Sequence, residues 1–396
     1  MSHSSGVSYT NVWSWLKGTY PGLRKTTITY LALLVYGILS SQTLFLAEIA
    51  RAFPIEALCR KHKHQLKRVG RALSTPFLTA RQVFPALMRW AVAQAAQYSR
   101  VLVLIDYTTL GDRFTILWAA VNWRGRALPI YCFALLPHKI TTSQNRIEEA
   151  FIRRVWQLLP TGYGYVLVAD RGFGRASLIQ WLQKEHISYI IRLNSNVYVT
   201  HCGRKRLLKD YHLHFGEGHL YQRVAYREDE VVTINLVLTW LMLSDNKPDE
   251  PWFLATDLTS FEQAVDGYFA RMQIEEFFRD DKHHLHWEEG GPGTVQRQQR
   301  LCLALSCAYL ICAALGTQPE VEAGAERLFR KRSAHEKQQA PRWSRILLAL
   351  KAIRHPHYFP PVVFERVFRV LTLACASPAQ QTGGPPALGA ATCQVK

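Results

Sequence analysis

The spacing of apolar residues changes character several times along the chain. Between residues 27 and 95 it has the period of helices, in TTITYLALLVYGILSSQTLFLAEIARAF, in IEALCRKHKHQLKRVGRAL after Pro54, and in LTARQVFPALMRWAVAQAAQYS. From residue 99 the period shortens. RVLVLIDYT is a nearly continuous apolar run that ends in a carboxylate, and FTILWAAVNW and ALPIYCFALLP follow, separated by RGR. Three strands in hairpin succession, with RGR as a tight turn, are the simplest reading. SQNRIEEAFIRRVWQLLP then reads as a helix with Ser143 as its N-cap. YGYVLVADRGFG is a strand ending in a second Asp, RASLIQWLQKEH a helix and SYIIRLN a strand. The order β-β-β-α-β-α-β predicts an α/β protein, a mixed sheet with helices packed on it. Residues 196–257 break this alternation with VYVTHCG, HLYQRVAYRE, VVTINLVLTWLML and PWFLATDL, which reads as a β-rich insertion. YFARMQIEEFFRDDK, residues 268–282, has no Pro or Gly and predicts one continuous helix. Two or three further helices follow GGPG, and the Pro- and Gly-rich tail from Ser377 predicts disorder.

These shifts divide the chain into a helical region (1–98), a first part of an α/β core (99–195), the insertion (196–257), a second part of the core (258–320), a C-terminal helical region (321–376) and the tail (377–396). At 396 residues with 48% hydrophobic and 20% charged side chains, the chain is globular and long enough for a large core.

Charge sharpens the picture. The formal net charge is +18, and a polyanion is the usual reason to hold such an excess against self-repulsion. Residues 1–98 carry twelve Lys and Arg against only Glu48 and Glu56. Arg60, Lys61, Lys63, Lys67, Arg68 and Arg71 are the densest group, which predicts DNA contacts from this helical region. None of the eight cysteines forms a C-x-x-C pair, in keeping with a reduced, cytoplasmic protein. LCLALSCAYLICAALG is sixteen residues long, short of a membrane span, and predicts a buried helix instead. His283, His284 and His286 lack the paired Cys or carboxylate of a zinc site, and no mononucleotide loop is present.

The candidate chemistry lies in carboxylates. On a helical wheel Tyr268, Arg271, Glu275 and Lys282 fall within about 60° of one another, while Ile274, Phe277 and Phe278 face away. One helix face thus presents a carboxylate beside a phenol and two cations. Asp106 and Asp170 each follow a buried apolar run, a costly place for a carboxylate without a partner or a task. Either alone is explained as a turn or cap residue. With Glu275 they form a set of hard oxygen donors suited to Mg²⁺ or Mn²⁺, which can activate a nucleophile and stabilise a leaving 3′-oxygen in phosphodiester displacement.

The spacing Tyr268-x₂-Arg271-x₃-Glu275-x₆-Lys282 resembles the Tyr-Arg-Glu-Lys motif of bacterial insertion-sequence transposases of the insertion-sequence-four type, which carry a DDE triad. Asp106 in IDYTT and Asp170 in ADRGF resemble the family's first two motifs, and the β-rich insertion lies where that family has one. The resemblance covers residues 99–290. It implies a ribonuclease-H-like fold with Asp106, Asp170 and Glu275 as catalytic metal ligands. It also implies Mg²⁺, replaceable by Mn²⁺, transposon-end and target DNA as partners, two protomers in the synaptic complex, and a bacterial, nucleoid-associated enzyme. Strand cleavage through hairpin ends would then be the activity. Tyr268, Arg271 and Lys282 would hold the strand near a flipped base, and Trp252 would stack on that base. Another ribonuclease-H-like nuclease, or a non-catalytic DNA-binding protein derived from a transposase, are the competing readings.

Overall fold

The computed structural model describes residues 6–54, 62–96, 100–137, 144–227, 232–241, 250–288, 291–324 and 344–375. Arg60, Lys61, Ser143 and the tail from Ser377 lie outside them, so the roles expected there rest on sequence.

Five helices open the chain: α1 (Tyr9–Thr19), α2 (Lys25–Ser41), α3 (Leu46–Arg51), α4 (His62–Ser74) and α5 (Ala80–Ala95). Then come β1 (Val101–Leu110), β2 (Phe114–Trp123) and β3 (Arg126–Leu135), followed by α6 (Gln144–Leu158), β4 (Tyr165–Ala169), α7 (Ala176–Lys184) and β5 (Ser188–Arg192). The expected β-β-β-α-β-α-β order is therefore present. Arg124 and Gly125 make the β2–β3 turn with φ of 46° and 78°, the left-handed pair whose twist suits a two-residue hairpin. β1 pairs antiparallel with β2 and parallel with β4, and β4 pairs parallel with β5. The strand order β3-β2-β1-β4-β5 makes the expected mixed sheet. Every side chain from Ile116 to Val121 is fully buried, so residues of both parities are covered and this half of the sheet carries protein on both faces.

The insertion is no separate layer. β6 (Tyr198–His201), β7 (Arg204–Leu207), β8 (Gly218–Tyr226), β9 (Val232–Thr239) and β10 (Trp252–Thr256) extend the same sheet, with β10 seated antiparallel on β5. The whole runs β3-β2-β1-β4-β5-β10-β9-β8-β6-β7. β7 was not anticipated: its residues, Arg-Lys-Arg-Leu, offer no apolar alternation, because an edge strand with little cover has no face to bury.

The stretch read as one helix over 268–282 is three pieces. α8 (Phe261–Phe269) ends at a turn through Ala270 and Arg271, α9 (Met272–Arg279) resumes, and Asp280–His284 widen into a π-turn. At the break Arg271 N bonds to Tyr268 O and Ile274 N to Arg271 O, bonds of i→i−3 type that tighten the turn. A wheel of uniform 100° steps does not hold across such junctions.

α10 (Val295–Gly316) is the expected buried helix, although at 22 residues it is longer than its apolar run. Thr294 starts it by accepting from Arg297 N. By length and composition α10 alone among the described residues is apolar enough to cross a membrane, yet 89% of that window is buried inside the protein. α11 (Pro319–Ala323), α12 (Arg345–Arg354) and α13 (Pro361–Cys375) follow. The N-terminal helices share a core with the C-terminal ones: Gln42 donates to Leu350 O, Arg300 to Leu73 O, and Arg89 to Cys375 O.

Candidate active site

Asp106 does not end its strand, as the sequence suggested. β1 continues to Leu110, held there by β2 alone. What ends is the parallel partner: the last β1–β4 pair is Ile105 with Ala169. Asp106 and Asp170 are the next residues on the two strands, so they sit side by side where β4 leaves the sheet. Asp170 directs that departure. Its Oδ1 accepts from Gly172 N at 2.9 Å, capping a single helical turn over Arg171–Phe173.

The third carboxylate arrives on α9. α8 can lie close on β5 because Gly267 has no side chain: a Cβ there would fall 2.5 Å from Ile190 Cδ1. That approach brings the α8–α9 junction over the strand ends. Arg271, at the junction, donates to Asp106 Oδ2 at 2.8 Å and also pairs with Glu275. Asp106 Oδ1 accepts from Tyr107 N. Burial pushes the Asp106 carboxyl up to about 6; Arg271 opposes the shift, while Asp170 and Glu275 add to it. Burial alone would weaken the Arg271 cation, yet Tyr268, Asp106, Glu275 and Asp170 together hold its pKa above the usual value. Three carboxylates therefore act on one another electrostatically around a single cation.

This is a donor set that fits a hard divalent ion: only carboxylate oxygens, with a buried member that needs positive charge. Among the described residues no three His, Cys, Asp or Glu side chains stand close enough to ligate one ion as they are. Arg271 lies between Asp106 and Glu275 and supplies the neutralising charge.

Around this centre Tyr268 is buried, edge-on to Trp252 with ring centroids 4.8 Å apart. Trp252 opens β10 and is 8% exposed. Tyr268, Arg271, Glu275 and Trp252 are thus gathered in one place. Lys282, in the π-turn, points instead to Glu288, with Nζ and Oε1 3.0 Å apart. Of the N-terminal cations, Lys63, Lys67 and Arg71 are exposed along one side of α4, and Arg68 is half-buried.

Several residues here escaped the sequence reading. Glu148 of α6 is fully buried, accepts from Tyr107 Oη and Gln144 Nε2, and pairs with Arg175 at 2.5 Å. It thereby ties the residue after Asp106 to the segment after Asp170, and stacked Tyr107 and Phe173 rings reinforce the tie. Burial raises the Tyr268 phenol above its ordinary pKa, and the cations of Arg271 and of Arg192, at the end of β5, oppose that shift. Arg192 and Arg171 both pair with Glu250. The sequence signal for Glu148 was a carboxylate on the apolar side of an amphipathic helix; Arg192 carried none.

Residues 136–311 match the family model of the transposase DDE domain. That span contains Asp170 and Glu275 and begins after Asp106. Among solved structures, the synaptic complex of piggyBac transposase with hairpin DNA is similar at a TM-score of 0.43 and 11% sequence identity, covering 93% of this chain and 78% of that one. No curated protein matches. The family match over residues 136–311 supports a DDE transposase.

Proposed function

We propose that the protein is a DNA transposase that cuts at the ends of an insertion sequence and joins them to target DNA, with Asp106, Asp170 and Glu275 as its catalytic carboxylates. The observation that carries the proposal is their convergence: two neighbours in register at the end of a parallel strand pair, and a third linked to the first through Arg271. The transposase DDE match over 136–311 supports the reaction class, and the motif spacing supports the insertion-sequence-four-type group.

Mg²⁺, or Mn²⁺ in its place, would be held by those three carboxylates, where it would supply Lewis acidity to the attacking and leaving oxygens of phosphodiester hydrolysis and transesterification. The chain's own residues do the rest. The low-dielectric floor of β1 and β4 keeps Asp106 and Asp170 fixed and partly desolvated. Arg271 offers a forked donor to a non-bridging phosphate oxygen as its pairing with the carboxylates is exchanged for DNA. Tyr268 holds the same strand, Lys282 joins it by exchanging Glu288 for a phosphate, and Trp252 offers its ring to a base turned out of the stack while the ends close into hairpins. Lys63, Lys67, Arg68 and Arg71 of α4, with Arg60 and Lys61, grip duplex backbone. Two ends brought together require two protomers, so the working form is a homodimer on DNA in the bacterial nucleoid.

The test uses the full chain, DNA bearing the inverted repeats that flank its own gene, and Mg²⁺, with products resolved on a denaturing gel. Nicked strands followed by hairpin ends are expected, and no products in chelator. A chain that binds this DNA but yields no cut product with either metal refutes the proposal.

A further inference from the structure

The outer end of the sheet carries a second concentration of positive charge, remote in sequence from α4. Residues 198–227 hold Arg204, Lys205, Arg206, Lys209, Arg223 and Arg227, against Asp210 and Glu217. All six cations are exposed. Some exposed arginines elsewhere find carboxylates, as Arg153 does with Glu185 and Arg51 with Glu48. Here aromatic rings hold several of them instead. The Arg206 guanidinium lies 5.8 Å from the Tyr211 ring centroid, and that of Arg227 lies 5.8 Å from Tyr226. No carboxylate among the described residues forms an ion pair with Arg204, Arg206, Lys209, Arg223 or Arg227. Rings orient a cation without neutralising it, so the charge stays available to a partner.

The backbone is shaped to the same end. β8 has a bulge between Tyr221 and Val224, and Arg223 within it has φ of +56°. A bulge re-aims a side chain, and a non-glycine residue in the left-handed region is uncommon enough to call for a reason. Register then fixes the direction. Arg206 is opposite Val199, which is opposite Tyr226, so the three share a face. Tyr226 donates from Oη to Gly174 O at 2.6 Å, and Gly174 lies just beyond Asp170 in the chain. The arginine face of β7 is therefore the face that meets the loop leaving the candidate active site.

We propose that β6, β7 and the β8 bulge form a DNA-backbone surface, with Arg204, Arg206 and Arg223 contacting phosphates of the strand that runs to the carboxylates. The inference rests on the reading of the chain as a DNA-acting transposase. It adds a binding surface outside the Tyr-Arg-Glu-Lys residues and outside α4.

The experiment uses the full chain with Asp106→Asn to prevent cutting, a long mixed-sequence duplex as probe, and binding measured over a series of salt concentrations. Arg204→Ala, Arg206→Ala and Arg223→Ala combined should reduce the slope of log K against log salt by about 0.9 for each phosphate no longer neutralised, between about 2 and 3 in all. The corresponding triple Lys variant should restore most of it. In parallel, a photo-crosslinker on Cys202, an exposed thiol in the β6–β7 turn, should attach to the probe, with Cys202→Ser as the control; this arm needs no arginine variant to fold. An unchanged slope in a folded triple Ala variant, or no crosslink at Cys202 while the protein binds DNA, overturns the surface and leaves the transposase reading intact. A parent protein with no affinity for DNA at any salt concentration overturns both.

Discussion

The two halves of the ten-stranded sheet use charge in opposite ways. In the inner half, β3-β2-β1-β4-β5, neighbouring residues of both parities are buried, and two carboxylates, Asp106 and Asp170, stand at the point where β4 departs. In the outer half, β7 and most of β8 are open to solvent and the charges are cations held over rings. The difference follows from cover. A sheet packed on both faces has a low dielectric, so burial there raises the Asp106 pKa and the Arg271 cation opposes the shift. An uncovered sheet end leaves cations hydrated, cheap to keep and ready for a polyanion. Chemistry is suited to the first environment and holding to the second.

The comparison breaks most visibly if the inner carboxylates are not catalytic. Asp106→Asn, Asp170→Asn and Glu275→Gln should each lower the cleavage rate by roughly a thousand-fold or more, with affinity for end DNA nearly unchanged. Any one of them cutting at close to the parental rate on a denaturing gel removes that residue from the set.

The buried tie beneath the carboxylates should matter next. Glu148→Ala leaves Arg175 and the Tyr107 hydroxyl without their partner, at a cost of about 3 kcal/mol, read as a lower midpoint of urea unfolding. Glu148→Gln keeps the hydrogen bonds and should lose less. Equal loss for both variants would mean that packing, and not the polar tie, orders the two strand ends.

Trp252 stands on β10, the strand that joins the halves. Trp252→Ala should leave first-strand nicking largely intact and slow hairpin formation about tenfold, the equivalent of roughly 1–3 kcal/mol of base stacking. An abasic nucleotide at the flipped position should partly rescue it. Nicking and hairpin formation slowed alike would assign the ring to the core with Tyr268.

A smaller, pH-dependent effect belongs to Asp281. It is fully buried, both its carboxylate oxygens lack partners, and burial followed by the Asp280 charge raises its pKa well above normal. Its folded pKa exceeds its unfolded one, so folding takes up a proton and stability falls as pH rises above the ordinary carboxylate range. Asp281→Asn cannot ionise. It should raise the melting temperature at neutral pH by the equivalent of about 1–3 kcal/mol, with the advantage shrinking toward pH 4. A gain that is the same at every pH would show that Asp281 is not the titrating group.

Much of this architecture was legible in the chain. Strands buried on both faces leave continuous apolar runs, so VLVLID and YVLVAD identified β1 and β4 and the carboxylates after them. α10 was legible because a helix apolar on all sides has nowhere to go but inside. Lys282 and Trp252 are cases where local pattern stops. The wheel put Lys282 beside Arg271, but the turn at Ala270–Arg271 and the π-turn at Asp280 shift its direction toward Glu288. Period alone cannot register a lost or added hydrogen bond in a helix. That Trp252 meets Tyr268 edge-on depends on β10 pairing with β5 and on α8 crossing at Gly267.

By itself, then, the sequence determined which segments are strands or helices, where positive charge accumulates, and which three carboxylates to watch, because periodicity, charge and motif spacing are written residue by residue. Only the tertiary structure decided that Asp106 and Asp170 are neighbours in register, that Arg271 bridges Asp106 to Glu275, that Glu148 ties the two strand ends together, and that the insertion extends the sheet with Arg206 on the face of Tyr226. Those relations join residues tens to more than a hundred positions apart. They are set by strand pairing and by how closely a helix can approach a sheet, and no local spacing encodes either.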